Sequence, residues 1–412
     1  MPVDRTRSNG RALIVGLGIA GTATAIRLRQ IGWTPVVVER AAGRRTGGYF
    51  VGLFGTGRAA AARLGILDGI TNRAAFDGAN FQLDRHGNRR RGLGFKDLPG
   101  RPWMMLRGDI EQAAYAKLPA GTDIRYSTTP TRIDQDADGV TVTLTDTAAG
   151  ASVTERFDLV IGADGVHSTV RSLAFGPPER YLRRLDYVIA AFRLERALSD
   201  LADGDGATLL EPNRSMWIFP FADRPSTVLM SYRTDDVDAE LGAAPADRMR
   251  TVFGTEPLGR TLEEVLAALE ATDEVLFDAV EQVRMDSWHR GRVVLVGDAA
   301  WCVSLYSGMG ASAGLTGAQL LGTMLRRHPG DPARACAEWD RALRPAIEYY
   351  QRLGRDMCTF FTPANRRQIR VFRILGRLQR DRRTGPAIQR IVQSTKASRM
   401  KERDLARTGA PR

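Results

Sequence analysis

Continuous apolar runs and alternating runs occupy different parts of this chain, and the division predicts two kinds of sheet. Ala12–Val15, Pro35–Val38, Leu159–Ile161 and the apolar start of 292–300 are short, nearly unbroken stretches of Ala, Val, Ile and Leu. Such runs suit strands covered on both faces, as in a parallel sheet. Between about 181 and 284 the pattern changes to alternation, in Tyr187–Arg193, Ser215–Pro220, Ser226–Tyr232 and Val275–Arg284. Period two means one buried face and one facing elsewhere. A helical pair, Ala244–Phe253 and Leu262–Leu269, lies between these strands. Thr131–Asp136 and Val140–Thr145 also alternate and meet at Asp138-Gly139, a hairpin signal. Residues 76–95 read as a second hairpin, turning at His86-Gly87-Asn88. Helical spacing recurs over Met105–Leu118 (after a strand end), His167–Leu173, Ala311–Leu325 and 332–357. The class expected is α/β.

The first strand runs into Gly16-Leu17-Gly18-Ile19-Ala20-Gly21, then a helical pattern, then the second strand ending at Glu39. Gly16 allows a tight strand-to-helix turn, Gly18 lets a pyrophosphate approach the backbone, and Gly21 lets helix and strands pack closely. The helix N-terminus offers free N–H groups and the positive end of its dipole to phosphate. Glu39, 18 residues beyond Gly21, is placed to accept hydrogen bonds from ribose hydroxyls. Strand, glycines, helix, strand and acid in register define a dinucleotide fold, although this motif alone does not separate NAD from FAD. Two later strands end in the same way, at Asp164 and at Gly297-Asp298. Ligands collect at the carboxyl ends of parallel strands, so Glu39, Asp164 and Asp298 should gather at one sheet edge. Each acid taken singly is equally a helix cap.

Four segments in this order resemble the FAD-dependent aromatic hydroxylases, the single-component (class A) flavoprotein monooxygenases. They are GLGIAG with Glu39, LRGDIEQ with Arg107, GADGVHSTVR with Asp164, and GDAA with Asp298 followed by SGMGASAGLTGAQLL. The resemblance implies a Rossmann-like FAD-binding domain assembled from 10–75, 102–180 and 285–360. A sheet-based substrate domain would come from 76–101 and 181–284, with a basic C-terminal helical segment at 361–412. It implies that Glu39 binds the adenosine ribose and that Asp298 binds the ribityl or pyrophosphate portion of FAD. Arg107 would lie beside the flavin, and the Asp164-Gly165 turn would serve FAD and NADPH. The cofactor-binding set is then Gly16, Gly18, Ala20, Gly21, Glu39, Arg40, Arg107, Asp164, Asp298, Gly310, Ala311 and Ser312. Backbone N–H groups at the start of the helix after Gly310 would stabilise negative charge on reduced flavin.

The activity implied is reduction of FAD by NADPH or NADH, addition of O₂, and oxygen transfer from a flavin hydroperoxide to an aromatic or polyketide-like small molecule. Tyr49, Trp217, Phe219, Trp301 and Tyr306 are the candidates for its pocket, with Phe50 and Phe221 behind them. Three departures from the family pattern fall near the place of reaction. Trp301 follows GDAA where His or Tyr is usual, the run 302–307 lacks a proline, and Gly52 stands where relatives carry an acid. Two other classes fit the cofactor site: an oxidase or dehydrogenase that takes electrons from its substrate, and a non-catalytic flavoprotein recruited through its tail.

Hydrophobic content of 43% and charged content of 26% describe a globular chain and exclude an intrinsically disordered one. No apolar stretch of membrane-spanning length is present, and the N-terminus lacks a signal-peptide core, so a cytoplasmic location is expected. Cys302, Cys336 and Cys358 show no CxxC spacing, and His86, His167, His289 and His328 are too dispersed for a metal cluster. The formal charge of +12 resides in residues 361–412, which hold 15 Lys/Arg and three Asp/Glu. Arg366, Arg370, Arg373, Arg377 and Arg380 form one helical stripe, and Ile369, Phe372, Leu375 and Leu378 an apolar one. The expectation is a helix docked on the protein body by those four apolar residues, its basic face solvated; binding of nucleic acid or of an anionic membrane is the alternative. No nucleic-acid-binding motif accompanies the charge.

Overall fold

Arg11–Val15 forms the centre of a six-stranded sheet, between Leu159–Gly162 and Thr34–Val38. Val293–Leu295 extends it in parallel beyond Leu159–Gly162, and Asp123–Arg125 does so beyond Thr34–Val38. Only the edge strand His289–Arg290 is antiparallel. The computed structural model describes residues 9–44, 47–75, 77–254, 258–381 and 383–406. Residues 1–8, Phe76 and 407–412, to which parts of the sequence reading refer, lie outside the described residues, as does the side chain of Arg380. Ala12, Leu13, Ile14, Val37, Val38, Val160 and Ile161 have no exposed surface. Helices Ile19–Gln30 and Gly310–Arg327 pack on this sheet. A three-stranded antiparallel sheet, Thr128–Gln135, Val140–Asp146 and Ser152–Phe157, adds Val140, Val142, Leu144 and Phe157 to the same core.

The alternating strands build a seven-stranded sheet in the order Val275–Val283, Leu182–Arg193, Thr227–Arg233, Arg214–Phe219, Gly206–Glu211, Asn80–Leu83, Arg89–Arg91. The last two are the hairpin at His86-Gly87-Asn88, joined in parallel to Gly206–Glu211. Period two separates the faces. Val188, Ala190, Phe192, Met216, Ile218 and Met230 pack against helices Pro245–Phe253 and Arg260–Glu270. Ile189, Ala191, Trp217, Phe219 and Leu229 point the other way, toward the nucleotide-type sheet. Residues 206–211 (GATLLE) add a strand that the alternation did not predict, because Thr208-Leu209-Leu210 breaks period two.

Helix Pro332–Phe361 runs four residues past its expected end. The tail helix, Arg366–Arg380, does not dock by the four apolar residues expected. Ile369 and Phe372 are buried, whereas Leu375 and Leu378 are exposed. Helix geometry explains the split. Successive steps of three residues drift by about 60° each, so positions i, i+3, i+6 and i+9 fan over roughly half the helix circumference. Phe372 packs on Phe360 (ring centroids 4.9 Å apart) and edge-on to Trp217. Among the described residues, no helix is long and apolar enough to cross a membrane.

Candidate active site

The glycine-rich turn is held by backbone contacts that leave no room for side chains. Gly16 has φ of +103°, and a Cβ there would stand 2.5 Å from the Ala163 carbonyl oxygen. A Cβ on Gly21 would stand 1.9 Å from the Gly16 carbonyl oxygen. The turn is therefore drawn tightly under the helix, and Ile19–Gln30 begins with no side chain capping its N-terminus. The second helix at this edge, Gly310–Arg327, also starts without a side-chain cap. Two sets of unsatisfied N–H groups thus face the same space.

That space is a cavity of about 300 Å³ between the two sheets. Gly18, Ile19, Ala20, Arg107, Ala163, Gly165, Gly297, Asp298, Gly310 and Ala311 line one side. Phe50, Phe95, Ile189, Phe219, Leu229 and Leu276 line the other. Asp298 lies in the recess between the sheets, and its exposed surface opens into this cavity. Its carboxylate has no hydrogen-bond or ion-pair partner among the described residues. Enclosure pushes its pKa up, and the Arg107 guanidinium opposes that shift. Arg107 is held by Glu111 at 2.8 Å.

Glu39 sits at the end of its strand with one carboxylate oxygen accepting from the Leu17 N–H (2.9 Å) and the other from the Ala41 N–H (3.0 Å). Each oxygen keeps a further lone pair for a ligand hydroxyl. Arg40, beside it, is exposed. Asp164 turns its carboxylate away from the cavity. It accepts from Ser168 Oγ (2.6 Å) and from the N–H groups of Thr169 (2.7 Å) and Val170 (3.1 Å), so its side chain caps helix Thr169–Ala174. The neighbouring backbone of Ala163 and Gly165 is what reaches the cavity. Ser312 is also turned inward, its hydroxyl accepting from the Phe54 N–H at 3.0 Å.

The aromatic candidates divide. Tyr49 and Phe219 line the cavity, and Phe219 stacks on Phe50 with centroids 4.2 Å apart. Burial pushes the Tyr49 phenol upward in pKa, against the pull of Arg107. Trp217, Trp301 and Tyr306 stand in the core instead of on the cavity wall. The Trp217 indole N–H donates to the Phe361 carbonyl (3.0 Å), and Trp301 packs among Trp288 and Trp339. The Tyr306 hydroxyl is bonded to Ser231 Oγ. Cys302 lines the cavity, but burial and the nearby Asp298 push its thiol pKa well above the ordinary value. It stays a protonated thiol, not a reactive thiolate.

Several wall residues escaped the sequence reading. Glu281 is 6% exposed, lines the cavity, and has one carboxylate oxygen, Oε2, without a hydrogen-bond partner. His167 lies 3.7 Å and Arg184 3.5 Å from this carboxylate. Burial pushes its pKa up, the charges of His167 and Arg184 opposing. Asp278 lines the same wall. Ser304 is a non-glycine residue at φ of +65°, with a buried hydroxyl that has no partner among the described residues. Left-handed backbone in such a residue costs of order 1–3 kcal/mol and concentrates at functional sites. The missing proline in 302–307 was the one sequence signal near it.

These features fit FAD: one uncapped helix N-terminus for its pyrophosphate and a second for the electron-rich edge of the flavin ring, an acid at a ribose position, and unpartnered polar atoms facing a largely apolar cavity. Comparison with known proteins agrees. The family described as "FAD binding domain" matches residues 10–333. The chain belongs to this family and is an FAD-dependent monooxygenase, an oxidoreductase of the class A flavoprotein kind. A flavin-dependent monooxygenase from an unknown prokaryotic organism is 29% identical over 350 residues, covering 84% of this chain and 88% of that protein. The crystal structure of tetracycline destructase Tet(51) superposes with a TM-score of 0.74 at 26% identity, over 95% of this chain and 98% of that one. The HpxO protein of Klebsiella pneumoniae, solved with FAD and uric acid, shares the fold at 21% identity and a TM-score of 0.75, over 96% of this chain and 97% of that one.

Proposed function

We propose that this monooxygenase is reduced by NADPH or NADH and inserts one oxygen atom from O₂ into a planar aromatic or polyketide-like small molecule. One observation carries the reading: the apolar wall of Phe50, Phe95, Phe219, Ile189 and Leu276 stands across the cavity from Arg107, Asp298 and the start of helix Gly310–Arg327. The chemistry supplied by bound FAD is hydride acceptance from the nicotinamide and activation of O₂.

The residues themselves bind, orient and exclude water. N–H groups at Gly18–Ala20 hold the pyrophosphate, Glu39 holds the adenosine ribose, and Asp298 accepts a hydroxyl hydrogen bond from the ribityl or pyrophosphate region. N–H groups at Gly310 and Ala311, with Arg107 nearby, would face the flavin ring and would stabilise negative charge on it. Phe50, Phe95 and Phe219 give the cavity an aromatic wall suited to a planar ring, which agrees with relatives named for tetracycline destruction or solved with uric acid. Asp278 and Glu281 are acceptors in an otherwise apolar wall, so the substrate should present hydrogen-bond donors such as phenolic hydroxyls.

An anaerobic stopped-flow trace tests this. NADPH or NADH should bleach the flavin, faster with a bound polyphenolic substrate, and readmitted O₂ should be consumed with formation of a product one oxygen heavier. Bleaching by the organic substrate alone, with nicotinamide inert, would refute the reading in favour of an oxidase or dehydrogenase.

A further inference from the structure

The tail helix carries a second apolar stripe, on the side away from the protein. Val371, Ile374, Leu375 and Leu378 are 56%, 54%, 49% and 43% exposed. Steps of three, one and three residues place all four on one helix face. Ile391, 63% exposed, stands on the following helix, Gly385–Ser394, which packs against the first. These are five of the seven large apolar side chains found exposed among the described residues, so the patch is a concentration and not random scatter. Ile369 and Phe372 already fix the opposite face of the helix to the protein, which leaves the outer stripe uncovered among the described residues.

Charge indicates what covers it. Residues 366–380 contain six arginines and no acid. Arg366, Arg367, Arg370 and Arg377 are exposed, and none of the four forms an ion pair among the described residues. On a helical projection, Arg367 and Arg370 border the apolar stripe directly. A partner must therefore be apolar in the middle and anionic at the margin. We propose that this face docks on an anionic lipid bilayer, with Val371, Ile374, Leu375, Leu378 and Ile391 at the acyl-chain boundary and the arginines on lipid phosphates. A two-fold contact with a second copy would set this arginine-rich face against its own image, which like charge opposes. A nucleic acid would satisfy the arginines and leave the apolar stripe in water. The inference is independent of what the cavity oxidises.

Vesicle co-sedimentation of the full, FAD-loaded chain tests it. Vesicles of phosphatidylcholine with about one third phosphatidylglycerol should bind the protein roughly tenfold or more tighter than phosphatidylcholine alone, and added salt should weaken that binding. The triple variant Ile374→Ser, Leu375→Ser, Leu378→Ser should lose binding while keeping its flavin content and nearly all of its melting temperature, because none of these side chains belongs to the buried core. The triple variant Arg367→Gln, Arg370→Gln, Arg377→Gln should lose the preference for anionic vesicles. A parent protein that stays in the supernatant with both vesicles, or a serine variant that binds as the parent does, would overturn the proposal. So would a solution dimer that the serine variant dissociates without lipid, which would assign the face to a second copy.

Discussion

Two glycine-to-alanine substitutions at the same cavity edge should have opposite consequences. At Gly310 an added Cβ meets no protein atom within 4 Å. The alanine is thus free of protein contacts, and helix Gly310–Arg327 gains up to about 1 kcal/mol in propensity, less at its first residue. The open space it enters is where FAD is proposed to lie. Forcing an extra methyl into a packed contact costs about 1–3 kcal/mol, equivalent to a loss of affinity of roughly five- to 150-fold. At Gly21 the Cβ would stand 1.9 Å from the Gly16 carbonyl oxygen, and both partners are backbone. Strand and helix would have to separate by about 1 Å, at an overpacking cost of at least about 1–3 kcal/mol. Thermal melts of flavin-free protein should show Gly310→Ala at or slightly above the parent, and Gly21→Ala several degrees below it. Titration of the Gly310→Ala protein with FAD, followed by quenching of flavin fluorescence, should show the weakened binding. Parent-like FAD affinity in that variant would refute the placement of the cofactor against this helix start.

Asp298→Ala should lower flavin retention without destabilising the flavin-free protein at pH 7, since the carboxylate has only the cavity to bond to; unchanged flavin content would reduce Asp298 to a helix-start residue. Glu281→Gln should raise the melting temperature at pH 8 and make little difference at pH 4. The raised pKa of Glu281 means that the parent loses stability as pH rises through that value, a loss the amide does not suffer; a benefit that grows toward acid pH would contradict this. Phe372→Asp should lower the melting temperature, because a side chain that contributes roughly 1.5–3 kcal/mol by burial is replaced by a charge. Leu375→Asp, on the exposed side, should not, and equal losses would mean that both residues are packed.

The nucleotide half of this protein was legible because its constraints are local. A tight turn needs Gly16 and Gly21 within a few residues of each other, and a buried parallel strand needs an unbroken apolar run, so both show in one short window of sequence. The helical periods of Gly310–Arg327 and Pro332–Phe361 were readable for the same reason. The cavity wall was not, because its members come from strands and loops that meet only in the folded state. Alternation identified which residues of Arg214–Phe219 share a face, and it put Trp217 and Phe219 together correctly; which of them the cavity reaches depended on Phe361 and Phe372 closing over Trp217. Trp301 is close to Asp298 in sequence, but by the end of that short helix it has turned into the Trp288–Trp339 cluster. Glu281 stands opposite Arg184, where the pairing with Leu182–Arg193 goes out of register, so simple alternation could not place it. The acids at strand ends show the same division. Sequence brought Glu39, Asp164 and Asp298 to one edge, but the fold turned Asp164 into a helix cap and left Asp298 open, because only Asp164 has a serine hydroxyl and free helix N–H groups within reach of its carboxylate.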